Sequence, residues 1–199
     1  EKAKKYFDKY GKVKRTYEAL SELTCQVKEE IDHLETISTA LDIALKEEDL
    51  VEIKEELTQS GYIRRKGGTK KAKITSRPFH YLSSDGFHIY VGKNNFQNDE
   101  LTFKFATGND WWFHAKGIPG SHVVVKTEGK ELPDRTFEEA GRLAAYYSKG
   151  KEKEKVEIDY VQKKQVKKPA GAKPGFVVYY TNYSLMIDSD ISGIEKLSD

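Results

Sequence analysis

Three features of this 199-residue chain predict the α+β class: a long coiled-coil helix and a short helix, followed by a mostly antiparallel β-sheet domain with about two helices. A seam of apolar residues, at alternating steps of four and three, runs through residues 6–45. Beyond residue 78, short aromatic and β-branched runs alternate with turns rich in Gly, Pro, Asn and Asp. Capping-box spacings, Asp49-x-x-Glu52 and Thr136-x-x-Glu139, mark helix starts outside the seam. The implied organisation is a coiled-coil arm with its short helix over 1–60, a basic linker over 61–77 and a sheet domain over 78–199.

The seam reads Tyr6, Tyr10, Val13, Tyr17, Leu20, Thr24, Val27, Ile31, Leu34, Ser38, Leu41, Leu45, and ten of these twelve positions are apolar. Gly11 falls early in it and costs about 1 kcal/mol relative to Ala. No second helix of matching length follows, so self-association through residues 6–45 is expected, or pairing with a segment outside the chain. The chain opens in helical sequence on Glu1, without Met, and is expected to be part of a longer protein.

The register fails around Lys46–Asp49, where Asp49 is expected to open a short helix with Leu50, Ile53 and Leu57 on one stripe and Gly61 as its stop. From Arg64 to Arg77 the chain carries seven cations and no acid. A solvated linker and a phosphate-contacting arm that orders on binding are both open here.

In the sheet domain, Phe79–Leu82 and Phe87–Val91 flank Ser83-Ser84-Asp85-Gly86, a hairpin signature. Leu101, Phe105 and Ala106 are spaced as a short helix behind an Asn/Asp-rich entry. Trp111–Ala115 and His122–Val125 read as strands joined through Lys116-Gly117-Ile118-Pro119-Gly120. Thr136 is expected to open a helix with Phe137, Ala140, Leu143, Ala144 and Tyr147 inward. A strand from Val156 to about Gln162, a loop over Gln165–Gly175, and a hairpin of Phe176–Tyr180 with Ser184–Ile187 complete about six strands. Alternation places Trp111, Phe113 and Ala115 on one face of their strand, expected to be core. Trp112, His114 and Lys116 share the other, expected to be a surface that stacks and pairs.

Charge separates the two parts. Residues 1–57 hold 10 basic and 15 acidic side chains (net −5), and residues 58–199 hold 24 and 17 (net +7), so the second part attracts phosphate. A single cysteine, Cys25, rules out an internal disulfide and fits the cytoplasm. No apolar run approaches the roughly 20 residues of a membrane span, so no membrane partner is expected. A metal site would need His80, His88, His114 and His122 to converge without a Cys partner or an H-E-x-x-H spacing, and none is predicted. Ser121 and His122 are adjacent, so a strand points them to opposite faces and away from nucleophile–base geometry. Glycine-rich phosphate cradles and paired carboxylates are lacking, so neither a cofactor nor a catalytic residue is predicted. RNA binding suits the residues better: Trp112, His114 and Lys116 combine aromatic rings with a cation, and Lys167, Lys168 and Lys173 bring cations to a Pro/Gly loop.

Three stretches in order, G-K-N-N-F-Q-N-D-E-L-T, D-W-W-F-H-A-K-G-I-P-G-S-H-V-V-V and V-K-K-P-A-G-A-K-P-G-F-V, resemble the NFACT-R domain of the NFACT proteins. This is the RqcH and NEMF-like group, in bacteria often called fibronectin-binding protein A. The upstream A-K-K-Y-F-D-K-Y-G-K-V-K-R resembles the return arm of that family's coiled-coil hairpin, and D-L-V-E-I-K-E-E-L-T-Q-S-G-Y its following helix. The resemblance implies a ribosome quality-control factor that binds the large ribosomal subunit and recruits tRNA to tail stalled chains, with alanine in bacteria. Carried over by position, it implies RNA contacts at Asn94, Asn95, Asn98, Asp99, Asp110, Trp112, His114, Gly120, Ser121, His122, Lys167, Lys168 and Lys173. Lys116 joins them from the strand-face reading. The family's tRNA-engaging N-terminal domain and the outgoing arm of the coiled coil are expected to lie outside this chain, which should therefore bind without elongating. Two other classes compete: a fibronectin-binding adhesin at the cell surface, and an RNA-processing enzyme using His114 and His122.

Overall fold

The structure, a computed structural model, describes residues 1–64 and 74–198. They form two units, residues 1–35 and 36–199. Helix α1 (Lys2–Ile43) makes up nearly all of the first. Within that unit the seam residues Tyr6, Tyr10, Val13, Tyr17, Leu20, Val27 and Ile31 are between 46% and 73% exposed. The heptad pattern is present as a helix whose apolar stripe faces solvent.

The second unit takes in the end of α1. There Ile37 and Ala40 bury Ile53 of α2 (Glu47–Gln59), with Leu57 and Tyr62 beside them. Helix α2 starts three residues earlier than its capping-box spacing predicts, with Lys46 rather than Asp49 at the N-cap. Asp49 sits inside the first turn, where its carboxylate accepts from the Leu45 and Lys46 N–H groups at 3.1 and 3.2 Å. Its stop is as predicted. Gly61 takes φ +80°, and the Tyr62 and Gly61 amides donate back to Leu57 O (2.9 Å) and Thr58 O (3.2 Å). Most of the basic stretch, residues 65–73, lies outside the described residues.

The sheet domain begins with the predicted hairpin, β1 (Phe79–Leu82) and β2 (His88–Val91), turning at Gly86 with φ +82°. Helix α3 (Asn95–Glu100) runs into a π-helical turn over Leu101–Phe105, closed by the Ala106 N–H donating to Leu101 O at 2.8 Å. Then follow β3 (Trp111–Ala115), β4 (Val123–Val125) and α4 (Asp134–Tyr146). The remaining strands are β5 (Val156–Gln162), β6 (Val166–Lys167), β7 (Val178–Tyr179), β8 (Tyr183–Ile187) and β9 (Glu195–Ser198). Among the described residues the main sheet has the order β8-β5-β3-β4-β2-β1-β9, every pair antiparallel, with β6-β7 a separate ribbon.

Three expectations are corrected here. The closing hairpin does not form: β7 pairs with β6 and β8 pairs with β5, because the Lys167–Gly175 loop returns the chain onto β6. A strand at Glu195–Ser198, unpredicted in its charged sequence, lines the outer edge of β1. Helix α4 starts at Asp134, ahead of Thr136. The Thr136 hydroxyl instead bonds to Ser83 Oγ (3.1 Å) and Asp85 (2.8 Å), and Glu139 accepts from the Ser84 N–H (2.8 Å), so both tie the helix to the β1–β2 turn.

The two sheet faces divide as alternation predicts, but both are covered. Helix α4 packs Ala140, Leu143 and Ala144 on the face of Phe79, Ile89, Phe113, Val123 and Ile158. The opposite face sets Trp112 between its cross-strand partners Val124 and Val161, beneath Leu101, Ala106 and Val166. Trp112 is fully buried. The expected open stacking surface at Trp112 is a second core, closed by the π turn and the β6-β7 ribbon.

Candidate nucleic-acid interface

The asparagine-rich entry to α3 folds inward because α2 presents it with carboxylates. Asn94 caps α3, accepting from the Gln97 N–H (3.0 Å), and its own amide donates to Glu52 at 2.7 Å. Asn95 donates to Glu56 (2.7 Å) and to Thr36 Oγ1 (2.8 Å), and Gln97 also donates to Glu52 (2.8 Å). Desolvation holds the Glu52 carboxyl above its ordinary range, against the lowering effect of the Asn94 and Gln97 amides. Asn98 Oδ1 accepts from the His122 N–H at 2.9 Å. All three asparagines are at most 4% exposed, and their amides are engaged within the chain.

Asp110, Trp112, Ser121 and His122 of the central motif are buried as well, while His114 and Gly120 are half-buried. Asp110, 1% exposed, accepts from the Thr107 and Thr127 N–H groups (2.7 and 3.0 Å) and from Lys126. Burial alone would raise its pKa, but those donors hold it below the ordinary carboxylate value. Gly120 runs so close to Ser148 that a Cβ there would lie 2.9 Å from the serine Cβ. Ser121 donates to Gly92 O at 2.5 Å. His122 Nδ1 lies 2.8 Å from Thr102 Oγ1 and 3.2 Å from Asn98 O.

His114 and His122 meet edge to face at 5.5 Å, with the Trp112 ring 5.6 Å from His114 and 5.0 Å from both His122 and Tyr179. His80 and His88 form a separate pair at 2.8 Å. The four histidines thus stand as two pairs. Among the described residues no group of three or more His, Cys, Asp or Glu is placed to hold a metal ion.

Desolvation pushes His114 down to about 4, only partly offset by the Gly120 backbone and Asp159. Desolvation, then repulsion from His114, puts His122 well below its ordinary value. Both rings are therefore neutral in the fold at pH values where an unfolded histidine takes a proton. The unfolded chain binds more protons between about pH 6.5 and about pH 4, so stability should fall as pH falls through that window. For His114 alone the loss should approach roughly 2–3 kcal/mol. Urea titrations across that range, with His114→Gln flattening the profile, check this.

The lysine loop is where the predicted residues reach solvent. Lys168 is drawn in, bonded to Asp99 at 2.7 Å and to Lys173 O at 2.8 Å, while the Gly175 N–H also donates to Asp99 (3.1 Å). Gly175 takes φ +79°, and a side chain there would collide with Asn95. Lys167 and Lys173 remain exposed, as does Lys116, which pairs with Glu157 at 2.7 Å. Of the predicted set, these three side chains are the exposed ones.

Stacking-plus-cation geometry, expected at Trp112, occurs instead on the layer that covers it. On the π turn, Lys126 lies 4.9 Å above the Phe105 ring and Lys163 5.6 Å above Phe103, with Lys104 between them in sequence. Phe105 is 41% exposed and meets Tyr90 edge-on at 4.7 Å. Phe176 and Tyr180, 56% and 69% exposed, flank the β6-β7 ribbon. The sequence spacing places Phe105 with Leu101 and Ala106 on a short helix and gives it no part in binding. The F-K-F alternation, which interrupts an apolar helical stripe with a cation, was the available signal.

Residues 77–181 match the family model "NFACT protein RNA binding domain", and residues 1–76 match "NFACT N-terminal and middle domains". The chain is 42% identical over 198 residues to the Rqc2 homolog RqcH of Streptococcus pneumoniae and 40% identical over 200 residues to that of Bacillus subtilis. These alignments cover 98% and 99% of this chain and 35% of each relative, so the chain spans about a third of their length. A solved structure, the C-terminal of the fibronectin/fibrinogen-binding protein from Streptococcus suis, superposes with a TM-score of 0.89 at 42% identity, over 98% of this chain and 78% of that one. With an RNA-binding-domain match across more than half of its residues, the chain belongs to the NFACT family.

Proposed function

We propose that this chain is an RNA- and ribosome-binding module of a cytoplasmic ribosome quality-control factor, engaging the large ribosomal subunit and tRNA in support of C-terminal alanine tailing. The match of residues 77–181 to the family's RNA-binding domain carries the reading. The exposed Lys104, Lys164, Lys167 and Lys173, set among Phe105, Phe176 and Tyr180, are the groups that would meet phosphate and bases. The buried asparagines, Asp110, Ser121 and the histidine pair act as the frame that holds this layer on the sheet. The role proposed for this chain is binding, without the tailing chemistry itself. Filter binding to tRNA and to purified large subunits across a salt series tests the proposal. Affinity that falls steeply with salt supports it, and no binding at low salt would sink it.

The bare seam of α1 gives a second expectation. Isolated in water, seven apolar seam residues facing solvent favour a partner helix, and a second copy of the chain is the one at hand. Sedimentation equilibrium should show dimers that Leu20→Lys with Ile31→Lys abolishes. A wild-type chain monomeric at high concentration would contradict this.

A fibronectin-binding reading is retained, because the Streptococcus suis structure carries that name. Surface plasmon resonance against immobilised fibronectin separates it from RNA binding.

A further inference from the structure

The α4 face of the sheet carries a cleft of ≈ 560 Å³ at the end where β3 begins and β5 stops. Its wall is Trp111, half-buried, meeting Phe137 edge-on at 4.9 Å and Tyr160 at 5.8 Å. Trp111 and Gln162 are direct cross-strand partners, so their side chains emerge side by side on this face. Asn109 completes the polar side of the cleft. Asn109 is exposed and Gln162 half-buried, so both side-chain amides can exchange water for a ligand. Glu131 and Asp134 line the opposite rim and offer acceptors to ring N–H and amino groups, and the exposed Lys130 beside them gives the lining a cation for a phosphate. Tyr183, 60% exposed and 6.4 Å from Trp111, extends the aromatic surface outward.

An aromatic wall, two solvent-open amides, acceptors on the rim and a lysine beside them form the chemistry that reads an unstacked base. We infer that this cleft receives one unpaired purine base of a bound RNA, guanine best, stacked on Trp111 and hydrogen-bonded by Asn109 and Gln162. The inference deepens the RNA-binding reading and rests on it. It also adds a site separate from the basic layer on the other face.

The chain holds two tryptophans, and Trp112 is fully buried, so indole fluorescence quenched by a small ligand reports Trp111. Titrating with guanosine, adenosine and uridine 5′-monophosphates should give saturable quenching, strongest for guanosine. Asn109→Ala with Gln162→Ala should weaken it about tenfold, the loss of one or two hydrogen bonds, with the circular dichroism spectrum unchanged. Trp111→Phe should remove the signal. If tRNA binds but no nucleotide quenches, the cleft assignment is overturned and the RNA-binding reading stands. Quenching without tRNA binding would leave a site for a free nucleotide and overturn both the RNA-binding reading and the assignment of the cleft to an RNA base. Quenching equal for all three nucleotides and insensitive to the double substitution overturns the cleft assignment.

Discussion

Trp112→Ala is expected to destabilise the sheet domain by about 3–5 kcal/mol, the range for truncating a buried aromatic in a core that relaxes only partly. The position explains the size. Trp112 is fully buried on β3, the strand between β4 and β5, with Val124 and Val161 as its cross-strand neighbours. Leu101 and Ala106 from the π turn, and Val166 from β6, lie in the same cluster. Removing the indole therefore undercuts the layer that presents the exposed lysines and phenylalanines. Urea unfolding followed by circular dichroism measures the loss, and RNA affinity should fall with it because the platform loosens. Trp112→Phe keeps most of the volume and releases the indole N–H, which is buried without a partner in the wild type. Its cost should be well below that of Ala. A stable Trp112→Ala variant that still loses RNA binding would instead mean that the indole touches RNA directly.

The second large effect is expected at the joint between α2 and the sheet domain. Lys93 and Asp49 form an ion pair at 3.0 Å with side chains only 2% and 1% exposed. Ser76 also donates to Asp49 (2.6 Å), and the Lys93 ammonium lies 4.5 Å from the Phe79 ring centre. Desolvation alone would raise the Asp49 pKa, but Ser76, Lys93 and the Leu45 N–H hold it below the ordinary value. Lys93→Met leaves that carboxylate buried without its counter-ion, and about 3–5 kcal/mol should be lost. Changing both residues, Lys93→Met with Asp49→Asn, removes both charges together and should cost less than the sum of the single changes. Strict additivity in that double-mutant cycle would contradict the pairing.

Much of the architecture was readable because it rests on periodicity. The seam of α1, the Asp85-Gly86 hairpin and the alternation of Trp111, Trp112 and Phe113 each encode one local conformation with few competitors. What escaped depends on partners distant in sequence. Asn94 and Asn95 carry amides that suit RNA and carboxylates equally, and the pattern around them does not reveal that Glu52 and Glu56, some forty residues earlier, accept from them. Trp112 shares its strand face with a histidine and a lysine, which reads as a surface until the π turn and the β6-β7 ribbon are laid over it. The pairing of β8 with β5 is likewise a long-range choice that a turn of Thr181-Asn182-Tyr183 does not signal. The exposure of Phe105 was missed for the opposite reason. A π turn shifts the helical phase, so Phe105, spaced with Leu101 as on an α-helix, emerges beside Lys126, and Phe103 beside Lys163.

The most direct test of the proposed function is the salt dependence of tRNA affinity for the wild-type chain and for Lys104→Gln, Lys167→Gln and Lys173→Gln together. These side chains are exposed, so the substitutions should leave unfolding unchanged. Each phosphate that a lysine no longer neutralises should reduce the slope of log affinity against log salt by about 0.7–0.9. The expected result is weaker binding at low salt with a slope shallower by roughly two to three. An unchanged slope and affinity would contradict phosphate binding by this layer and move the interface elsewhere on the chain.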